Sequence, residues 1–178
     1  QLVSKKEFSG TMKKPLLEIR DLAVSVDDKL ILNGVDLSIQ KGELHVLMGP
    51  NGTGKSTLVS AVMGDPRYAI ESGSISFDGE DITDESADAR ARLGVFLSFQ
   101  APEEIPGITL ENFLRTAAGA IEGKPMRVLA FQKKLKEQMQ VLDMDESYAS
   151  RYLNVGFSGG EKKKAEILQL LMLRPKLA

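Results

Sequence analysis

The sequence predicts an α/β fold with a small antiparallel β subdomain and a helical insertion, and three observations lead to this prediction. A glycine-rich turn at residues 49–57 lies between an apolar run and a helical pattern. Two partly alternating runs precede it, Leu16–Val26 and Leu30–Ile39. From Thr109 onward the pattern is helical for about forty residues, with apolar side chains at helical spacing.

Composition narrows the class of protein. With 178 residues, 42% apolar and 27% charged, the chain is typical of one ordinary domain. The net charge of −2 argues against sequence-independent nucleic-acid binding. The absence of cysteine excludes disulfides and thiolate metal sites and favours a cytoplasmic location. No apolar run approaches the roughly 18 residues of a membrane span, so we expect no membrane insertion.

The N-terminal residues differ from the rest of the chain. Residues 1–11 are polar and patternless, and Met12 followed by two lysines is typical of a natural start. We therefore expect residues 1–15 to be a disordered tail or a cloning remnant. Residues 16–178 should form the domain, with a helical subdomain over about 101–157.

Strands are predicted where apolar residues alternate or run continuously between turn signals. Asn33 and Gly34 should form a turn or bulge, and Asp78 and Gly79 a hairpin turn. The predicted strands are Leu16–Val26, Leu30–Ile39, Leu44–Met48, Gly73–Phe77 and Gly94–Phe99.

Helices are predicted between these strands and in the C-terminal half. The first should end near Gly64, and Ser86–Leu93 should form a short helix. Two prolines predict an irregular loop over Ala101–Gly107. Beyond Thr109, core positions follow helical spacing, and the methionines there are expected in the core. These positions are Phe131, Leu135, Met139 and Leu142.

The glycine-rich turn fits the phosphate-binding loop pattern of Gly, four residues and Gly-Lys-Ser/Thr. Its glycines permit backbone conformations that aim amides at an anion beside a helix N-terminus. Lys55 should reach the β and γ phosphates, Ser56 should ligate Mg²⁺, and Thr57 should lie near the α phosphate. The alternative, a turn that carries a lysine by chance, requires four fixed positions to coincide. The expected nucleotide-binding residues here are Gly49, Pro50, Asn51, Gly52, Thr53, Gly54, Lys55, Ser56 and Thr57.

A second anion-binding helix end is predicted at Ser158. Ser158 and Glu161 have the spacing of a capping box, and apolar residues follow. A cap alone is the simpler interpretation. Gly159 and Gly160, however, leave the helix N-terminus unobstructed, which suits a phosphate. One triphosphate needs only one such phosphate-binding site, and the loop at residues 49–57 already provides it. The second site is therefore expected to bind a nucleotide held by another subunit.

The order of these motifs resembles that of ATP-binding cassette (ABC) ATPases. A phosphate loop, Gln100 closing a buried strand, a helical insertion and Phe-Ser-Gly-Gly-Glu match in order, although the usual signature is Leu-Ser-Gly-Gly-Gln. Within that superfamily three stretches resemble the ATPase subunit of the SUF iron-sulfur cluster assembly system. These are Met48–Thr57, Phe99–Gly107 and Asn154–Lys163.

The resemblance implies a phosphate-loop NTPase core of ABC type that binds ATP and Mg²⁺. It implies that Lys55 and Gln100 are catalytic, and that Ser56 and Gln100 serve the metal, with Gln100 also sensing the attacking water. It further implies a nucleotide-dependent homodimer in which Ser158 and Gly160 contact the γ phosphate of the partner's nucleotide.

Two departures accompany the resemblance. Val26 stands where the family usually has an aromatic residue stacked on adenine. The chain stops where the family begins the strand with the Mg²⁺-binding aspartate and catalytic glutamate, so the domain is expected to be truncated. His45 precedes the phosphate loop, so it is not the family's switch histidine and is expected at an ordinary strand position.

The predicted activity follows from the resemblance. The full-length protein should be a soluble ATPase that drives conformational change in a SUF scaffold complex, while the 178-residue chain should not hydrolyse ATP. The scaffold should dock on Ala101–Gly107 and the helices after it. The alternatives are the nucleotide-binding subunit of a membrane transporter and a non-catalytic nucleotide-binding module.

Overall fold

A computed structural model describes residues 14–178 of the chain. The predicted N-terminal tail therefore lies outside the described residues, apart from Lys14 and Pro15. The chain divides into two compact units. The first comprises the described residues up to 62 together with 67–84, and the second comprises 63–66 and 85–178.

The first unit contains a four-stranded antiparallel sheet, as the alternating runs predict. Its strand order is β2-β1-β3-β4, so β1 is paired on both edges. The central strand accordingly buries more of its apolar side chains than the edge strand β2. The strands are β1 (Leu17–Val26), β2 (Lys29–Ile39), β3 (Ala69–Phe77) and β4 (Glu80–Asp81).

Both predicted irregularities of this sheet are present. Asn33 and Gly34 stand opposite the single residue Ala23 of β1, which is a bulge, and Gly34 has φ 68°. Asp78 and Gly79 connect β3 to β4 with φ 50° and 83°, so they form the tight hairpin turn that their sequence predicts. Both predictions are confirmed.

The predicted strand Leu44–Met48 is not formed. Its side chains lie on the surface, with Leu44 90% and Met48 82% exposed. A strand needs a neighbour for its backbone groups, and no strand within residues 14–178 pairs with this run. His45 is therefore not at a strand position, and its Nε2 lies 2.9 Å from Oε2 of Glu43.

The predicted strand Gly94–Phe99 is reduced to one bridge. Val95 pairs in parallel with Leu177, and the N–H of Phe96 donates to the Leu177 carbonyl at 2.9 Å. Val95 is buried, but Phe99 is 63% exposed. The prediction was wrong for most of the run, because one paired residue on one side does not define a strand.

The second unit is helical. Of the predicted core positions, Phe131, Leu135 and Met139 are buried and Leu142 is partly buried, and Met144 and Met172 also lie in the core. Among residues 14–178, every helix falls short of the length and hydrophobicity that a bilayer span requires. The helices of this unit are α2 (Ala87–Leu93), α3 (Leu110–Glu122), α4 (Val128–Val141) and α5 (Gly159–Leu173), with a 3₁₀ turn at Glu146–Ser150. Helix α1 (Lys55–Met63) lies in the first unit apart from its last residue, and it ends before Gly64 as predicted.

The loop predicted over Ala101–Gly107 is in part a strand. Strand β5 (Ile105–Thr109) pairs with β6 (Tyr152–Leu153), which lies far along the chain. Pro106 is tolerated because each strand of a two-stranded sheet is an edge strand. Thr109 ends β5 and also caps α3, its hydroxyl oxygen accepting the N–H of Asn112 at 3.2 Å.

Candidate functional site

The phosphate loop precedes α1 in the first unit and uses its glycines in two ways. Gly52 and Gly54 have φ 82° and 88°, a conformation that favours glycine. A Cβ at Gly54 would lie 2.5 Å from Cδ2 of Leu32, whereas a Cβ at Gly52 would meet nothing within 4 Å. Gly54 therefore permits packing against the sheet, and Gly52 leaves the loop open to solvent.

Lys55, the first residue of α1, reaches back across the loop. Its Nζ donates to the carbonyls of Gly49 at 2.8 Å and Pro50 at 2.6 Å. Thr53 Oγ1 donates to the same Pro50 carbonyl at 2.9 Å. Because an ammonium has three N–H groups, these contacts position the lysine while one group is left for an anion.

Ser56 and Gln100 are the predicted Mg²⁺-binding residues, and both are exposed. Ser56 lies in the first turn of α1, and Gln100 belongs to the second unit. Among residues 14–178 no group of three or more His, Cys, Asp or Glu could hold a metal ion. A neutral hydroxyl or amide oxygen fits Mg²⁺ when phosphates and water complete its shell, so each of these residues taken by itself has a side chain suited to a nucleotide-bound ion.

The capping box predicted before α5 is present. The hydroxyl oxygen of Ser158 accepts the Glu161 N–H at 3.4 Å, and Oε2 of Glu161 accepts the Ser158 N–H at 2.7 Å. Ser158, Gly159 and Gly160 are exposed, and a Cβ at either glycine would meet nothing within 4 Å. This end of α5 is therefore open to an anion.

The side chains of Tyr148, Phe157 and Arg151 form a cluster that contacts Glu161 of this helix end. The Tyr148 hydroxyl donates to Oε1 of Glu161, and the Tyr148 ring packs edge-on against Phe157 with centroids 4.9 Å apart. The Arg151 guanidinium lies 4.5 Å from the Tyr148 centroid and 5.0 Å from that of Phe157. Arg151 also donates to the Gly156 carbonyl at 3.2 Å. Sequence reasoning did not identify Tyr148 or Arg151, because no local pattern marks either as a partner of the helix end.

These contacts set the charge at the helix end. The hydrogen bond from Tyr148, followed by that from the Ser158 backbone, lowers the pKa of Glu161 below its usual value. The same carboxylate raises the pKa of Tyr148. Glu161 is therefore ionised at neutral pH, and a negative charge in the first turn of a helix is favoured by the helix dipole.

The predicted site residues lie in both units. The phosphate loop belongs to the first, and Gln100 belongs to the second together with the helix end at Ser158–Gly160. Each unit thus carries one helix N-terminus with exposed residues and glycines beside it. The individual roles of these residues in binding and catalysis stay predictions.

Known proteins match nearly the whole chain. A family model described as ABC transporter matches residues 32–178. Vegetative protein 296 of Bacillus subtilis (strain 168) is 51% identical over 169 residues, which cover 94% of this chain and 65% of that protein. The probable ATP-dependent transporter SufC of Escherichia coli (strain K12) is 43% identical over 166 residues, covering 91% of this chain and 67% of that protein.

A solved structure shares the fold. The dimeric structure of MJ0796, a bacterial ABC transporter cassette, matches with a TM-score of 0.73 at 22% identity, covering 89% of this chain and 70% of that one. At that identity the match concerns the fold alone. The chain spans about 65% of the length of the Bacillus relative.

Proposed function

Because the chain belongs to the ABC transporter family, we propose that it is the nucleotide-binding part of an ATPase that holds Mg-ATP in the loop at Gly49–Thr57. The observation that carries the proposal is the loop itself. Lys55 lies across it, and Gly52 and Gly54 adopt the left-handed backbone from which anion-binding turns of successive amides are built.

The residues of this loop have distinct proposed tasks. Backbone amides from Gly52 onward and the Lys55 ammonium bind the β and γ phosphates, and Thr57 lies near the α phosphate. The Ser56 hydroxyl and Gln100 are proposed Mg²⁺ ligands, and Gln100 also orients the attacking water. Bound Mg²⁺ would neutralise developing phosphate charge, so the remaining task of this chain is positioning.

The open end of α5 supports a nucleotide-dependent homodimer. Ser158, Gly159 and Gly160 present a second anion-binding end, which we propose contacts the γ phosphate held by another copy. In a two-fold symmetric dimer, the phosphate loop of each copy would face the Ser158 helix end of the other copy. Both nucleotides would then be bound at one interface. ADP lacks the bridging phosphate, so it should support the dimer poorly.

Beyond nucleotide binding, we propose a cellular role. The full-length protein is a cytoplasmic ATPase that drives rearrangement of a SUF scaffold complex for iron-sulfur cluster assembly. The resemblance of three stretches to that system's ATPase supports it. So does the 43% identity to the relative named SufC. The scaffold subunits are the proposed protein partners.

The proposed docking surface for the scaffold is Ala101–Gly107 with the helices that follow. Apolar side chains of the β5–β6 sheet lie on the surface there, with Ile105 37%, Ile108 43% and Tyr152 49% exposed. Exposed apolar groups on the strand that follows Gln100 in sequence would let a docked partner respond to nucleotide state.

A second candidate is the nucleotide-binding subunit of a membrane transporter. The names of its relatives favour it, since SufC of Escherichia coli is itself called a probable ATP-dependent transporter. This candidate makes the same use of the phosphate loop. It differs in its partner, which would be a membrane protein.

One experiment tests the proposal and separates the two candidates. The full-length protein is expressed in its native host with an affinity tag, and Mg²⁺-dependent ATP hydrolysis and co-purifying proteins are measured. We expect hydrolysis that Lys55→Ala abolishes, together with partners from the soluble fraction that assemble iron-sulfur clusters. Hydrolysis unaffected by Lys55→Ala would refute the site, and integral membrane partners would favour the transporter.

A further inference from the structure

We propose that Glu166 and Asn154 are positioning residues for Gln100, because they hold the two sides of the segment Ser98–Glu104, the Gln100 arch, against α5 and the turn before it. The inference rests on the proposed role of Gln100 at Mg-ATP. All of the residues involved belong to the second unit.

Glu166 anchors the first side of the arch. This residue of α5 is only 6% exposed, and its Oε1 accepts the Ser98 hydroxyl at 2.8 Å. Its Oε2 lies 2.6 Å from Nζ of Lys163. A buried carboxylate is costly unless hydrogen-bonded and paired, so these two contacts account for its presence. The result is a fixed contact between α5 and a residue two positions before Gln100.

Asn154 anchors the second side. It is 4% exposed, and its Nδ2 donates to the backbone carbonyl of Glu103 at 2.9 Å. Its φ of 61° is in the left-handed region, where asparagine is tolerated better than most residues. Its Oδ1 is buried and accepts no hydrogen bond within the residues that the structure describes. Since an unpaired buried oxygen is destabilising, the contribution of this amide is its bond to Glu103.

Two further contacts keep the second side in place. Lys162 of α5 lies 3.1 Å from the carboxylate of Glu104. Immediately after the arch, Ile105 pairs with Leu153, the residue before Asn154. Gln100 therefore lies between two segments that α5 and its preceding turn hold. A shift of the α5 N-terminus would move Gln100 with it.

The coupling has a functional consequence. Ser158 caps the same helix that carries Glu166, so a phosphate bound at the helix end and the position of Gln100 are linked through one rigid element. A purely structural role for these contacts would alter stability alone. A positioning role also alters the response to Mg²⁺, while nucleotide binding without the metal stays the same.

The experiment uses the full-length protein with Ser98→Ala and Asn154→Gly, glycine being suited to the left-handed backbone. For each we expect kcat to fall about 3- to 10-fold and half-saturating Mg²⁺ to rise by a similar factor, the size of one lost hydrogen bond. Affinity for ATP without Mg²⁺ should change less than about 2-fold, because Lys55 is untouched. Amide hydrogen exchange of residues 98–104 should become faster in both variants.

Matched controls separate positioning from general damage. Ser98→Thr keeps the hydroxyl and should restore the kcat and Mg²⁺ response that Ser98→Ala loses. Ser150→Ala removes a hydroxyl that donates to the Ser147 carbonyl at 2.9 Å, away from the Gln100 arch in sequence, and should leave both unchanged. Wild-type Mg²⁺ response and wild-type exchange in both variants would overturn the proposal, as would a loss of stability alone. Inactive wild-type protein would refute the proposed function, while the exchange data would still test the arch.

Discussion

Tyr148 donates its hydroxyl hydrogen to Glu161, the carboxylate that also caps the backbone of Ser158. Both carboxylate oxygens therefore accept hydrogen bonds from groups of this chain. The resembling family usually has glutamine at this position. Here the carboxylate is held in the cap, so Ser158 and the glycine amides are the groups left to face a phosphate.

The first prediction concerns the pH dependence of stability through Glu161. The hydrogen bonds from Tyr148 and the Ser158 backbone lower the pKa of Glu161 in the folded protein below its ordinary unfolded value. Its stabilising contribution is therefore present above the unfolded pKa and is lost as pH falls through the folded pKa. Urea unfolding of wild type and Glu161→Gln should therefore differ at neutral pH and converge in acid. Tyr148→Phe, which keeps the ring contact, should weaken the effect. A difference independent of pH would contradict the prediction.

The second prediction compares two glycines of the phosphate loop. Gly52→Ala imposes a left-handed alanine, with a cost of about 1–2 kcal/mol. Gly54→Ala imposes the same strain and adds a methyl group 2.5 Å from Leu32, so it should cost about 1–3 kcal/mol more. Chemical denaturation measures both. Equal destabilisation of the two variants would show that the Leu32 contact relaxes without cost.

The third prediction concerns the 178-residue chain itself. The resemblance assigns Mg²⁺ binding and water activation partly to an aspartate and a glutamate that follow residue 178 in the family. We therefore expect this chain alone to release phosphate from ATP negligibly compared with the full-length protein. Phosphate release is the measurement, and Lys55→Ala is the control. Steady release by the 178-residue chain that Lys55→Ala abolishes would show that its own residues suffice.

The fourth prediction concerns Ser158 in dimer formation by the full-length protein. Light scattering should show a dimer with a non-hydrolysable ATP analogue and monomers with ADP. Ser158→Arg should prevent the dimer by intruding on the helix end, with nucleotide affinity nearly unchanged. The matched variant Ser150→Arg places the same side chain at another exposed serine and should still dimerise. A dimer that survives Ser158→Arg rules out the role of Ser158 across the interface.

The fifth prediction places the scaffold on the loop after Gln100. Reversing charge at Glu104 would break its ion pair with Lys162, so Glu103 is the better probe. Its side chain is exposed, and the hydrogen bond from Asn154 goes to its backbone carbonyl, which the substitution keeps. Glu103→Lys should weaken scaffold pull-down and partner-stimulated hydrolysis, whereas Glu80→Lys on the exposed strand β4 of the first unit, outside the proposed surface, should not. Unchanged pull-down with Glu103→Lys would show that the scaffold does not bind at Ala101–Gly107.

The sequence by itself determined the features that depend on a few consecutive residues. These include the turns at Gly52 and Gly54, the hairpin at Asp78-Gly79 and the capping box at Ser158. Each follows from backbone freedom or from a hydrogen bond that spans three residues. The helical core positions could also be predicted from the sequence, because the residues on one face of a helix recur at a fixed spacing.

Only the tertiary structure decided which distant segments meet. The pairing of Ile105 with Leu153 made a strand of a proline-containing loop, and the apolar run Leu44–Met48 formed none because no described strand lies beside it. The contacts of Tyr148 with Glu161 and of Ser98 with Glu166 likewise join separate elements. Strand pairing and buried polar contacts take their stability from partners far along the chain, and local spacing does not specify those partners.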